Sequence, residues 1–304
     1  ISLGYTVPKK HLKKLGIDRT SETHLSLALG GFTNGVTTEQ MCAAYVPFAN
    51  GGTYYKPITF THIEDINGNT ILTNTGSPTV VYDDYRTSAI MTDLLQSVVT
   101  GGTGRRTQIY NAKGEFIPTA GKTGTTTSSY DLWYCGYTPY YTCAVWYGYE
   151  MQKTTTAAES IAHVSLWAKV MNRIHAELPA KSFEQPSNVV NVQVCKHSNM
   201  LPTEACRKDP RGSCIITGTF AVGTEPTEYC NFHRTVVLCS AGKDPMGKNY
   251  IAGPYCTEAT KYEYTGTYRN VSKETYDAIL KGHYVSDWKY EISHADETCP
   301  YCKP

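Results

Sequence analysis

From Thr37 onward the apolar positions fall at helical spacing. Met41, Ala44, Tyr45 and Phe48 share one face behind the capping-box quartet Thr37-Thr38-Glu39-Gln40, and Asn50-Gly51-Gly52 supplies the stop. The spacing predicts a helix there. The pattern then changes to strands, because Thr59 to Asp65 and Thr70 to Thr73 flank Asn67-Gly68, a short-range hairpin signal. From Asp84 to Thr100 the helical period returns, with Ile90, Leu94 and Val98, and Met91, Leu95 and Val99 beside them, making a broad apolar face before Gly101-Gly102. Three strand-like runs follow at Thr119 to Thr126, Leu132 to Thr138 and Tyr141 to Tyr149, the last two turned at Thr138-Pro139-Tyr140. They predict three neighbouring antiparallel strands. A helix from about Ala157 to Leu178, with Ile161, Val164, Ala168, Met171 and Ile174 on one side and Pro179 ending it, is expected to cover one face of that sheet. His163 and His175 are expected at the edges of that face.

These elements describe an α/β (α+β) unit, an antiparallel sheet flanked by helices, over residues 1–178. A polar linker, 179–187, leads to short strand-like runs such as Val189 to Val194 broken by Gly and Pro, which read as a smaller, mainly β extension over 188–304. A length of 304 residues agrees with about two domains. Lys and Arg number 28 against 27 Asp and Glu, a formal charge of +1 that lacks the basic excess of a phosphate-binding surface, so no nucleic-acid partner is expected. No apolar run approaches the ~20 residues that cross a bilayer.

The eleven cysteines are uneven, with Cys42, Cys135 and Cys143 early and Cys195, Cys206, Cys214, Cys230, Cys239, Cys256, Cys299 and Cys302 in the extension. An even late count in a Gly/Pro/Thr-rich stretch leads us to expect disulfides in an oxidising compartment, Cys195 to Cys206 closing one short loop. The alternative is zinc held by Cys195, His197, Cys206 or Cys230 and His233, which lacks the paired C-x₂₋₄-C spacing of structural sites, so no metal is expected. Cys299-Pro-Tyr-Cys302 has the spacing of a redox dithiol but no room for the helix that would follow it. Cys135 and Cys143 read as small apolar residues of a hairpin, not a bridge across it.

One motif carries chemistry. Ala120-Gly121-Lys122-Thr123-Gly124-Thr125-Thr126 could be scanned as a phosphate loop, but Phe116 stands where that loop needs glycine. The other reading is the Lys-Thr-Gly element of penicillin-recognising serine enzymes. Upstream stand, in order, Leu25-Ser-Leu-Ala-Leu-Gly-Gly31, Gly35-Val-Thr-Thr-Glu-Gln-Met41, Ala43-Ala-Tyr45 and Phe48-Ala-Asn-Gly-Gly52. Gly102-Thr-Gly104 precedes Lys122, and Gly136-Tyr-Thr-Pro139 and Val145-Trp-Tyr-Gly-Tyr149 follow it. With this context, residues 1 to 178 resemble the transpeptidase domain of class A penicillin-binding proteins. The opening of the extension, Val194-Cys195 through Thr203-Glu-Ala-Cys206, resembles more loosely the extensions of clostridial-type members.

The resemblance implies a D,D-transpeptidase. In such enzymes a serine attacks the terminal D-Ala-D-Ala carbonyl of a peptidoglycan stem peptide, and an amine from another stem resolves the acyl-enzyme; β-lactams acylate the same serine. It implies that Lys122 presents an ammonium to the substrate carboxylate and the catalytic network, that Thr123 and Thr125 hydrogen-bond that carboxylate, and that Gly124 lets a peptide lie against the strand. The Thr125 N–H would be the second oxyanion-hole donor. No cofactor is implied, and the expected location is the outer face of the bacterial cytoplasmic membrane.

The sequence departs from the family at the nucleophile. No Ser-x-x-Lys or Ser-x-Asn precedes Lys122; Ser240-Ala-Gly-Lys243 and Ser286-Asp-Trp-Lys289 follow it, in the Cys-rich part. Gly242 and Pro245 argue against the helix that would put Ser240 and Lys243 on one face. With Ile1 as first residue, the expectation is the C-terminal part of a longer enzyme, inactive alone, whose membrane anchor lies elsewhere. The alternatives are a related D,D-carboxypeptidase or β-lactamase, or a non-catalytic module that binds wall glycan or a partner.

Overall fold

The computed structural model describes residues 4–82, 84–244, 247–268, 291–292 and 297–304. They form two compact units, Ile1–Val189 and Val190–Pro304. In the first, α1 (Thr6–Lys14), α2 (Thr38–Ala49), β1 (Thr53–Tyr55), β2 (His62–Glu64), β3 (Thr70–Thr73), β4 (Pro78–Val80) and α3 (Tyr85–Gly101) lead to β5 (Ile109–Tyr110), β6 (Phe116–Ile117), β7 (Ala120–Thr125), β8 (Asp131–Tyr137), β9 (Thr142–Gly148) and α4 (Ala162–His175). The capping box is made as its sequence predicts: Thr37 Oγ1 accepts from the Gln40 N–H at 3.1 Å, and Gln40 Oε1 accepts from the Thr37 N–H at 3.0 Å. The predicted hairpin is β2–β3, where the Asp65 carboxylate accepts from the N–H groups of Asn67 and Asn69 and Gly68 takes φ +84°.

The central sheet runs β7-β8-β9, all antiparallel, so β7 is an edge strand. Its alternation divides the core. On one face Tyr134 and Val145 pack with Val164, Trp167 and Met171 of α4 and with Ile109 and Ile117. On the other, Ala120 and Tyr137 pack with Leu95 and Met91 of α3 and with Tyr45 and Phe48 of α2.

Two helices are turned from the expected faces. The buried stripe of α3 is Ser88, Thr92, Leu95 and Val99, and Leu94 is 56% exposed. Two hydroxyls set that rotation: Ser88 donates to the Pro47 carbonyl at 3.0 Å, and Thr92 meets the Tyr137 hydroxyl at 2.8 Å. Hydrophobic periodicity does not count such residues as interior. Ile161, just before α4, and Ile174 within it are exposed, whereas His163 and His175 are buried and not at the face edges. His175 Nδ1 donates to the Met171 carbonyl at 2.7 Å, and Nε2 accepts from the Thr138 hydroxyl at 2.7 Å, which satisfies a neutral ring in the core. Cys135 stands opposite Ala144 and Cys143 opposite Gly136, so the two cysteines lie on opposite faces of the hairpin.

The second unit holds β10 (Val189–Cys195), α5 (Glu204–Arg207), β11 (Ile215–Ala221), β12 (His233–Lys243), β13 (Asn249–Ile251), β14 (Lys261–Tyr268) and β15 (Glu291–Ile292). β10 pairs with β11, and a four-stranded sheet runs β13-β12-β14-β15. The expected disulfides are not present: all eleven cysteines are free, including Cys195 and Cys206. Six of the late eight instead form the centres of two buried clusters, Cys195, Cys206 and Cys230 in one and Cys239, Cys256 and Cys299 in the other, with half-buried Cys302 packed against the second. Ser240 lies on β12 and donates to the Thr260 carbonyl, so it shares no helical face with Lys243. The Ser286-Asp-Trp-Lys289 sequence lies outside the described residues. Among the described residues no helix is long and apolar enough to cross a membrane.

Candidate active site

Strand β7 is the Lys-Thr-Gly sequence itself. Its inner side pairs with β8 from Ala120↔Tyr137 to Thr125↔Leu132, and among the described residues the opposite side carries no strand. Alternation places Lys122 and Gly124 on the face of Ala120, and Thr123 and Thr125 on the face of Tyr134, toward α4. Lys122 is exposed, its Nζ donating to the Thr123 carbonyl at 2.9 Å. A Cβ built on Gly124 would meet only Trp133, its Cβ at 3.2 Å.

The segment after α3 comes back onto this strand. The N–H groups of Gly102 and Gly104 both donate to the Val98 carbonyl, and the chain turns sharply enough to bring Thr103 Oγ1 within 2.7 Å of Thr123 Oγ1. A buried relay fixes the turn. Thr107 Oγ1 donates to the Gly104 carbonyl at 2.7 Å, so the Tyr134 hydroxyl, 2.6 Å away, must be the donor to Thr107. Burial pushes the Tyr134 phenol up to about 12, which keeps that proton in place at neutral pH.

On the Thr123 face lies a cleft of about 350 Å³ lined by Thr103, Arg105, Arg106, Thr123, Thr125 and His163, among others. Two arginines, three threonines and Ser160 line it. Among the described residues the His163 Nδ1 has no hydrogen-bond partner, and burial lowers the ring's pKa, so it is neutral near pH 7. A larger hollow of about 630 Å³ is lined by Gly30, Gly31, Thr126, Asp131, Trp133 and Trp146, among others. Beyond Thr125 the backbone is strained: Ser128 and Ser129 take φ +62° and +52°, and the Thr155 N–H and hydroxyl both donate to the Ser129 carbonyl.

The structure thus brings Lys122, Thr123, Gly124 and Thr125 to one exposed edge, as β-strand alternation requires. Sequence reasoning noted Gly102-Thr-Gly104 but missed Arg105, Arg106 and His163, which no motif distinguishes from surface residues. The strand and the turn that backs it lie within residues 8–172, which match the family described as the penicillin-binding protein transpeptidase domain. The chain belongs to that family. Residues 185–235 match penicillin-binding protein 1A, C-terminal domain, a segment that ends before Cys239. The chain is 38% identical over 239 residues to penicillin-binding protein 1A of Clostridium novyi, covering 76% of this chain and 26% of that one. It is 35% identical over 216 residues to penicillin-binding protein 1A of Clostridium perfringens, covering 69% and 25%. The chain therefore spans about a quarter of the length of the curated relatives it matches. A solved structure of penicillin-binding protein 1A from Haemophilus influenzae is similar in fold, with a TM-score of 0.58 at 20% identity over 72% of this chain and 37% of that one.

Proposed function

We propose that this chain forms the Lys-Thr-Gly side of a D,D-transpeptidase site that cross-links peptidoglycan through a serine acyl-enzyme and is acylated by β-lactams. The observation that carries the proposal is the position of the motif: an edge strand, open along one side, in a segment of the transpeptidase family. An extended stem peptide ending in D-Ala-D-Ala can add to that edge as a further strand, with Gly124 leaving room for its backbone. Lys122 supplies a compact positive charge to the terminal carboxylate and the catalytic network, and the Thr123 and Thr125 hydroxyls hydrogen-bond that carboxylate. The Thr125 N–H serves the oxyanion, a role worth about 3 kcal/mol in acyl-transfer sites. Thr103, which meets Thr123, fixes the orientation of that hydroxyl.

The nucleophile and its activating lysine come from residues outside these 304, since no Ser-x-x-Lys or Ser-x-Asn precedes Lys122. The parent protein acts at the outer face of the cytoplasmic membrane, where stem peptides are presented. Fluorescent penicillin tests the proposal directly. The folded chain alone is expected to remain unlabelled, and a polypeptide extended upstream to include Ser-x-x-Lys is expected to be labelled on that serine. Labelling of the chain alone, mapped to Ser240 or Ser286, would overturn this assignment of the nucleophile. An extended protein that folds yet resists acylation would favour a non-catalytic binding module.

A further inference from the structure

The cysteines that fail to make disulfides are arranged with a geometry of their own. His233 Nδ1 lies 3.3 Å from Cys195 Sγ, 3.5 Å from Cys206 Sγ and 3.5 Å from Cys230 Sγ. A disulfide would bring two sulfurs to about 2.05 Å. A tetrahedral zinc ion, with Zn–S of about 2.3 Å and Zn–N of about 2.0 Å, instead sets ligand-to-ligand edges of about 3.5 Å for S···N and about 3.8 Å for S···S. The separations in this cluster match those edges to within about 0.2 Å. In the second cluster Cys302 Sγ lies 3.7 Å from Cys239 Sγ and 3.9 Å from Cys299 Sγ, and Cys256 completes a set whose ligand atoms all lie within 4.8 Å of one another.

The surroundings of His233 support the same reading. Its other nitrogen, Nε2, lies 3.1 Å from Asp209 Oδ2, with both side chains fully buried, and 3.1 Å from His197 Nδ1. Arg211 grips Asp209 at both carboxylate oxygens, 2.8 Å each. A carboxylate that accepts a hydrogen bond from Nε2–H leaves the Nδ1 lone pair facing the three sulfurs, the carboxylate–histidine arrangement that orients metal ligands. A cluster of protonated thiols does not account for this, because one lone pair can accept from one S–H and not from three. Backbone amides also point at sulfur: Thr203 N–H to Cys206 Sγ at 3.4 Å, Phe232 N–H to Cys230 Sγ at 3.4 Å and Gly253 N–H to Cys256 Sγ at 3.3 Å. Such donors favour thiolates.

The unit also needs a cross-link. Among the described residues its two cysteine clusters have only a few half-buried neighbours, in place of a broad aliphatic core. Each set is closed by one two-residue knuckle, Cys230-Asn-Phe-His233 or Cys299-Pro-Tyr-Cys302, joined to two cysteines distant in sequence. We infer that the second unit binds two structural zinc ions, one through Cys195, Cys206, Cys230 and His233 and one through Cys239, Cys256, Cys299 and Cys302. Soft thiolate sulfur in closed tetrahedral sets selects zinc over harder divalent cations. Each thiol gives up its proton on binding, and no electron transfer is involved. Cys214, whose Sγ turns to the Gly212 carbonyl, belongs to neither set.

The test is metal analysis of the full chain purified without chelator. The expected result is two zinc per chain, falling to one in Cys230→Ser and one in Cys256→Ser, and unchanged in Cys214→Ser. Asp209→Asn is expected to keep the stoichiometry but lose zinc to a competing chelator about 10- to 100-fold more readily at one site. Cobalt substitution of the unaltered chain is expected to give the visible absorption of tetrahedral thiolate sites, which keeps the proposal testable if the serine variants fail to fold. A metal-free folded chain, with the late cysteines either free or lighter by two hydrogens per bond in an intact mass, would overturn it, and so would iron in place of zinc.

Discussion

Tyr134→Phe removes one oxygen from the centre of the transpeptidase unit, and its cost follows from the direction of the buried relay. Tyr134 donates to Thr107, which donates to the Gly104 carbonyl. Deleting the phenol leaves one acceptor lone pair unfilled on Thr107 and keeps the bond to Gly104, so about 1 kcal/mol of stability is expected to be lost. Thr107→Val is worse, because it strands the buried Tyr134 O–H, while the Gly104 carbonyl keeps the Thr107 N–H at 2.9 Å; about 1–3 kcal/mol is expected. In the double variant the stranded O–H is gone, so its loss should not exceed that of Thr107→Val alone. The assay is urea unfolding followed by tryptophan fluorescence, since Trp167 lies 5.0 Å from the Tyr134 ring. Additive losses in the double variant, or a Tyr134→Phe protein as stable as the parent, would refute the relay and with it the account of what holds Thr103 against Thr123.

Three further outcomes are expected. Lys122→Ala in an upstream-extended, acylatable protein should slow acylation by penicillin and by a D-Ala-D-Ala substrate without changing stability, and Lys122→Arg should not fully restore it, because a planar guanidinium does not replace a compact ammonium; unchanged kinetics in the alanine variant would remove Lys122 from the mechanism. Gly136→Ala should cost at least about 2 kcal/mol, since its Cβ would meet the Ala120 carbonyl and the Trp167 ring at 3.0 Å, whereas Gly124→Ala should cost under about 1 kcal/mol yet block acylation; urea midpoints and labelling rates separate the two effects. Burial lowers the pKa of both His163 and His175, so the unfolded chain binds more protons below the ordinary imidazole value of 6.5, and the urea midpoint of this unit should fall as pH drops through that range, with a shallower slope in His175→Gln; a pH-independent midpoint would contradict the burial of these rings.

What was legible in the sequence was local. The Thr37 capping box, the Asn67-Gly68 hairpin and the three strands around Lys122 are each fixed by neighbours a few residues away, and each stands where its pattern predicts. The faces of α3 and α4 were not legible, because Ser88, Thr92 and His175 are buried through partners 37 to 45 residues distant, or 41 in the case of Ser88 and Pro47. The cysteines failed for the same reason. A two-residue knuckle is visible at Cys230 and at Cys299, but Cys195 and Cys239 approach from far along the chain. Parity of count pointed to bridges where spatial convergence points to ligands. At the candidate site the Lys-Thr-Gly strand was readable, while Arg105, Arg106 and His163 join the cleft only through the turn after α3 and the docking of α4.

The β2–β3 hairpin has a practical meaning for anyone who handles the molecule. Both strands are solvent-exposed throughout, Ile66 is 99% exposed at the turn, and neither strand pairs with the central sheet. An isolated two-stranded hairpin holds itself closed by little. Its amides will exchange with solvent long before those of β8, and proteases will nick there first. The tip at Asn67-Gly68 is thus a natural port: an epitope or a fluorophore inserted there reports on the protein without disturbing the strand that carries Lys122.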